Sequence, residues 1–172
     1  MRIVIGFRAL VALAATLFIT FTRPDTAALG LAIFAGFAFL QALGTIALGF
    51  LRPKPGMRQA VAPGALISLL AAVAAILGLG GQASSKLAIF QIVVMAYLVL
   101  NAAIETYLAS KSGFKTIEGR EHLIAAALAE LFTLIYVVLN PEPLNASGFL
   151  GAYLALSAVH QGVWAASPTK AD

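Results

Sequence analysis

The chain has 172 residues, of which 61% are hydrophobic and 10% are charged, with a net charge of +4 and no cysteine. Soluble domains carry about 25% charged residues, so this composition excludes an ordinary soluble enzyme, a disordered chain and a nucleic-acid-binding domain, and it indicates an integral membrane protein. The lack of cysteine excludes disulfides, thiol catalysis, iron–sulfur clusters and Cys-based zinc sites.

Six segments are long and apolar enough to cross a bilayer, because a helix needs about 20 apolar residues to span about 30 Å of hydrocarbon. In chain order they are approximately residues 3–21, 26–50, 61–80, 87–109, 121–139 and 144–166. Prolines such as Pro24, Pro63 and Pro141 are expected at or outside helix ends, where proline is tolerated. No small-residue cleavage region follows the first segment, so we predict that it is an uncleaved helix.

Lysine and arginine predict the orientation of these spans, because the cytoplasmic loops of membrane proteins are enriched in both. With the N-terminus inside, nine of the eleven basic residues lie inside and two lie outside. We therefore predict that both termini lie in the cytoplasm, and we attribute the positive charge to loops rather than to nucleic-acid binding. The inside residues are Arg2, Arg8, Arg52, Lys54, Arg58, Lys111, Lys115, Arg120 and Lys170, and the outside residues are Arg23 and Lys86.

The spacing of the spans predicts a single all-α domain of three helical hairpins, covering about 3–50, 61–109 and 121–166, each closed by a tight outside turn. Residues 96–102 and 152–158 are identical at five of seven positions. Residues 35–41 fit the same frame more loosely, and this alignment matches Gly44 to Glu105 and Gln161. These similarities predict a threefold hairpin repeat, as internal repeats are common in membrane proteins.

Small residues four apart allow close approach of helices in lipid. Such pairs favour packing within one chain, although a dimerisation face is the alternative reading. The pairs are Ala32 with Gly36, Ala71 with Ala75, and Ala125 with Ala129.

Two of the hairpins share a basic start, a proline in the outside turn and a second helix with small and aromatic residues. They are Arg8 with Pro24 and residues 36–44, and Arg120 with Pro141 and residues 153–162. In this the chain resembles the HdeD-type acid-resistance proteins, a bacterial family of small six-helix membrane proteins. The middle hairpin departs from the pattern because its outside turn, residues 80–85, has no proline. The resemblance implies a bacterial envelope protein of the inner membrane, linked to acid or general stress, without an established chemistry.

Ionisable residues inside a bilayer are costly and mark candidate functional sites. Glu130 lies near the middle of the fifth span, where a carboxyl group must be protonated or well partnered. We expect its partners to come from residues at similar depth, which are Tyr97, Asn101, Tyr153 and Thr133.

A second group of polar residues lies in the predicted cytoplasmic half. Tyr97, Asn101 and Glu105 recur every four residues and form one stripe on the fourth helix. Glu105 is expected at the depth of Arg8 on the first helix and of His160 and Gln161 on the sixth. We predict a cluster of these four residues, which either joins the repeats structurally or, with Glu130 above it, forms a proton-sensitive path.

His122 lies beside Glu118 and Glu121 at the start of the fifth helix. This spacing could bring metal ligands to one helix face, but a solvated helix start is the simpler interpretation, because acidic residues favour the first turn. We predict no metal and no cofactor.

The sequence contains no phosphate-binding loop, no zinc-protease motif and no nucleophile elbow, and we predict that the protein is not an enzyme. The leading functional hypothesis is an acid or envelope stress protein. The alternatives are an accessory subunit of a larger membrane complex and a small proton-linked transporter or channel. The expected partners are the lipid bilayer and either a second copy or a larger membrane complex.

Overall fold

The computed structural model describes residues 2–51 and 57–167, and over these residues the chain consists of helices joined by short connections, with no β-strand. Three residues predicted to lie on the cytoplasmic side are not among the described residues: Arg52, Lys54 and Lys170. A short 3₁₀ turn, Ala83–Ser85, precedes the fourth helix. The long helices are α1 (Arg2–Thr22), α2 (Ala27–Leu51), α3 (Met57–Leu79), α4 (Lys86–Ser112), α5 (Ile117–Leu139) and α6 (Pro143–Ala166).

Five of these helices, α1 to α5, are long and apolar enough to cross a membrane. The prediction of a helical membrane protein is confirmed at this level. The sixth predicted span is a helix of 24 residues, but polar residues such as His160 and Gln161 lower its hydropathy. Its role as a span stays a prediction.

Two helices begin earlier than the sequence predicts. α3 begins at Met57 rather than near residue 61, so Pro63 lies inside the helix and not at its end. α5 begins at Ile117 rather than at residue 121, and the side chain of Thr116 caps it by accepting a hydrogen bond of 2.9 Å from the amide of Gly119. In both cases the added turn contains polar residues, and hydropathy therefore does not identify it as part of the helix.

The even-numbered helices α2, α4 and α6 contact one another and form the interior of the bundle, and the odd-numbered helices surround them. Each odd helix packs most extensively on an even helix from a different hairpin: α1 on α6, α3 on α2 and α5 on α4. Helices within one predicted hairpin are neighbours, but their contact is less extensive. Apart from Pro24 in the connection between α1 and α2, the largest fully buried apolar side chains belong to the even helices, and they are Leu31, Phe34, Phe90, Val94, Leu98, Leu150 and Leu154.

The three inner helices bury side chains at matching positions, in layers that follow one another along the bundle. Gly36 is exposed, so the frame of α2 lies one residue later than the sequence alignment suggests, and Thr45, not Gly44, corresponds to Glu105. A threefold repeat would produce this pattern, and the repeat itself stays a prediction. The layers are Phe37, Tyr97 and Tyr153; Gln41, Asn101 and Ser157; Ala42, Ala102 and Ala158; and Thr45, Glu105 and Gln161.

Candidate functional site

The centre of the candidate site is Glu105, which lies on the inner helix α4 and is only 6% exposed. Its Oε2 atom lies 2.6 Å from Nδ1 of His122 on α5. Its Oε1 atom accepts a hydrogen bond of 3.5 Å from Nη1 of Arg8 on α1. One carboxylate therefore joins three helices through two ionisable partners. We call Arg8, Glu105 and His122 the ionisable cluster.

The ionisable cluster lies toward the end of the bundle where the short turn Gly113–Thr116 joins α4 to α5. Glu105 is two turns before α4 ends, and His122 is in the second turn of α5. The turn is tight because Gly113 adopts a left-handed backbone with φ of 88°. It brings the two helices together, so His122 can reach Glu105. We call this part of the molecule the α4–α5 end.

The backbone of α1 is fixed against α2 beside the cluster. The side-chain amide of Gln41 donates a hydrogen bond of 3.2 Å to the carbonyl of Arg8. The side chain of Arg8 is 26% exposed, more than the side chains of Glu105 and His122. Arg8 therefore compensates the charge of Glu105 while remaining the most accessible member of the cluster.

Two small cavities flank the ionisable cluster. The first, of about 30 Å³, is lined by all three cluster residues and by the polar side chains of Thr45 and Asn101. A polar cavity of this volume is large enough for a water molecule, since one water needs about 10–15 Å³. The interior at the α4–α5 end can therefore be hydrated.

The second cavity, of about 10 Å³, also borders Arg8 and Glu105 and is lined in part by Ser157, His160 and Gln161 of α6. Gln161 is 9% exposed, and its Oε1 atom has no hydrogen-bond partner within the described part of the chain. An unpaired buried amide oxygen is costly, so this position favours a water molecule that donates to it.

Aromatic side chains close the polar interior on the side away from the α4–α5 end. The ring of Tyr97 packs edge-on against Phe34 and Phe37, with ring centroids 5.4 and 5.9 Å away. Asn101, one turn nearer to Glu105, donates a hydrogen bond of 2.7 Å to the carbonyl of Tyr97. The predicted stripe of Tyr97, Asn101 and Glu105 is therefore buried. Tyr97 is the residue of the stripe that contacts the aromatic side chains of the interior.

The predicted cluster of Arg8, Glu105, His160 and Gln161 forms only in part. Arg8 contacts Glu105, and Gln161 lines the second cavity beside both. His160 also borders this cavity, but its ring nitrogens face Glu121 of α5, at 3.1 Å from the carbonyl and 3.5 Å from the carboxylate. His160 therefore pairs with Glu121 and not with Glu105.

Glu130 does not join this site. It is exposed on the outward face of α5, and it forms no hydrogen bond or ion pair with another described residue. Its neighbour Ala129 is 1% exposed, and one step along a helix turns the side chain by about 100°. The expected partners lie elsewhere: Tyr153 packs against Phe132, and Thr133 bonds to the carbonyl of Ala129.

His122 is the site residue that the sequence analysis missed. The interpretation as a solvated helix start is wrong, because His122 is 3% exposed. Within residues 2–51 and 57–167, no three His, Asp or Glu side chains lie together so that they could hold a metal ion. His122 shares a face with Ala126 and Ala129, but small residues also lie on the exposed side of α5 and are therefore no signal for this face.

Trp164, the single tryptophan of the chain, lies against both histidines. Its ring meets His122 edge-on with centroids 4.9 Å apart, and the centroid of His160 is 6.3 Å away. The one indole of the chain is therefore in contact with the ionisable cluster.

No protein-family model, no curated protein and no solved structure matches this chain. The arrangement of its own residues is therefore the basis for any functional conclusion.

Proposed function

We propose that this chain is a non-enzymatic membrane protein of acid or envelope stress, in which protonation of the ionisable cluster signals acidification. The observation that carries the proposal is the buried imidazole of His122, 2.6 Å from the carboxylate that also pairs with Arg8. Histidine is the side chain whose charge ordinarily changes between about pH 5 and 8. The resemblance to HdeD-type proteins, which carries the same expectation, supports this reading.

The proposal includes a bacterial inner membrane, six spans and cytoplasmic termini. The excess of basic residues on one side supports that orientation. In this orientation the α4–α5 end faces the cytoplasm, and the cluster responds to cytoplasmic rather than external acid.

Proton uptake changes the charge of the cluster as a whole. Arg8 and the Glu105 carboxylate compensate each other, so the cluster is neutral while His122 is neutral. An imidazolium at His122 adds one positive charge in apolar surroundings, where an uncompensated charge is expensive. Hydration of the adjacent 30 Å³ cavity, or a shift of α5 against α4, lowers that cost. Either change is the proposed signal.

Trp164 offers a direct test of this protonation. We expect its fluorescence to fall on acidification, because a protonated imidazole quenches a neighbouring indole more strongly than a neutral one does, and the ring of His122 is the nearer of the two. His122→Gln should remove most of the change. His160→Gln, which alters the more distant ring, is the matched control and should retain it. A pH response that survives in His122→Gln and disappears in His160→Gln would contradict the proposal.

Acid survival tests the biological part of the proposal. A bacterium whose own copy carries His122→Gln should survive acid as poorly as a strain without the gene, while protein abundance stays unchanged. Equal survival of the variant and the unaltered strain, at equal abundance, would contradict a role in acid stress.

A proton-linked transporter or channel is the second candidate. It is favoured by the polar layers of the inner helices and by the two cavities that border Arg8. The rings of Phe34, Phe37 and Tyr97 close this route, so transport requires them to separate. Proteoliposomes with an internal pH dye decide between the candidates: transport predicts proton flux that Tyr97→Phe or Glu105→Gln alters, and the stress-signal proposal predicts none.

A further inference from the structure

The exposed carboxyl group of Glu130 lies deep within the apolar length of α5. At about 1.5 Å per residue, it is about 20 Å from the start of the helix and about 14 Å from its end. A carboxyl group facing lipid at this depth is costly. The cost falls if the side chain donates to, and accepts from, another polar group at the same depth.

The residues around Glu130 form a regular outward seam. Leu123, Ala127, Leu134 and Val137 are all exposed, and with Glu130 they are spaced by four, three, four and three residues. This is the heptad spacing of helices that pack along their length. Ala127 is small and lets a second backbone approach, as is typical of helix contacts in membranes. We call these five residues the α5 seam.

The chemistry of Glu130 favours a second copy of this chain as the occupant of the α5 seam. Apart from Arg8, which is paired in the interior, the lysines and arginines of the described helices lie in their first or last turns. These helices therefore offer no cation to Glu130 at the same depth. Two-fold symmetry brings a residue near the axis against its own copy. Two protonated carboxyl groups then form reciprocal O–H···O bonds without any cation.

We propose that two copies of this chain associate through their α5 seams, with the two Glu130 carboxyl groups hydrogen-bonded at the centre. A single polar residue in an apolar seam fixes register and oligomeric state in other helical assemblies. The proposal rests on the membrane location of α5 but not on the ionisable cluster, since none of the five residues of the α5 seam belongs to that cluster. Its failure is therefore distinguishable from failure of the acid-stress proposal.

Removal of the carboxyl group tests the central contact. Native mass spectrometry and light scattering in mild detergent should find a dimer, and Glu130→Leu should weaken it about tenfold, the order that hydrogen bonds between membrane helices supply. Glu130→Gln should retain the dimer, because an amide also donates and accepts. Glu130 is exposed, so neither variant disturbs the fold of one copy. A monomer in the unaltered protein, or an equally stable dimer in Glu130→Leu, would overturn the proposal.

Cross-linking tests the geometry of the α5 seam. The chain has no cysteine, so each introduced cysteine reports a single position. Ala127→Cys and Leu134→Cys should form disulfide-linked dimers in membranes under mild oxidation, since a disulfide needs Cα atoms within about 7 Å. Ile76→Cys on the exposed face of α3 is the matched control and should not. Equal cross-linking at all three positions, or a different protein on the α5 seam in stoichiometric amount, would contradict a symmetric dimer.

Discussion

Glu105→Leu is expected to lower the free energy of unfolding by about 3 kcal/mol. Removal of one partner from a buried ion pair costs about 3–5 kcal/mol because the other charge remains unpaired. The lower value applies because Arg8 is 26% exposed and can extend toward water along its apolar stem. His122 also loses the acceptor that lies 2.6 Å away. The measurement is thermal unfolding in mild detergent, followed by circular dichroism.

Matched variants separate this effect from a general loss of helix stability. Glu118→Leu removes a carboxylate from the exposed first turn of α5 and should change the unfolding free energy by less than about 1 kcal/mol. The double variant of Arg8→Leu with Glu105→Leu should be more stable than Glu105→Leu alone, since it leaves no unpaired guanidinium. If Glu105→Leu and Glu118→Leu were equally stable, the ionisable cluster would not stabilise the bundle.

The level of each polar residue along its helix was predictable from the sequence. Contacts between residues at the same level were therefore expected correctly when both side chains face the interior. Hydropathy locates the apolar core of each helix, and distance from a helix end then gives the level of a polar residue in the bilayer. Arg8 and Glu105 were expected at one level, and they form an ion pair. The starts of α3 and α5 were predicted too late, because their polar first turns have no hydropathy signal.

Rotation about the helix axis was much harder to predict. A helix in lipid is apolar on all sides, so hydrophobic periodicity does not identify the face that packs inward. Glu130 was expected inside and His122 outside, and the structure reverses both. Small residues do not identify the packed face of α5 either, because Ala126 and Ala129 are buried whereas Ala127, between them, is exposed.

Gly119→Ala is expected to lower the free energy of unfolding by about 1–3 kcal/mol, the usual cost of overpacking. Alanine normally stabilises a helix relative to glycine, but here a Cβ atom would collide with the backbone carbonyl of Gly113. That carbonyl is fixed by hydrogen bonds from the amide of Thr116, at 3.0 Å, and from its hydroxyl, at 2.8 Å. The turn must therefore open, and α5 must shift against α4.

The shift of α5 gives this prediction a second readout. His122 lies less than one helical turn after Gly119, so its contact with Glu105 should lengthen and the pH response of Trp164 fluorescence should change together with stability. Gly162→Ala is the matched control: no atom lies within 4 Å of its added Cβ, and alanine should stabilise α6 by up to about 1 kcal/mol. If Gly119→Ala were as stable as Gly162→Ala, the close approach of Gly119 to Gly113 would be wrong, and the position of His122 beside Glu105 would lose its support.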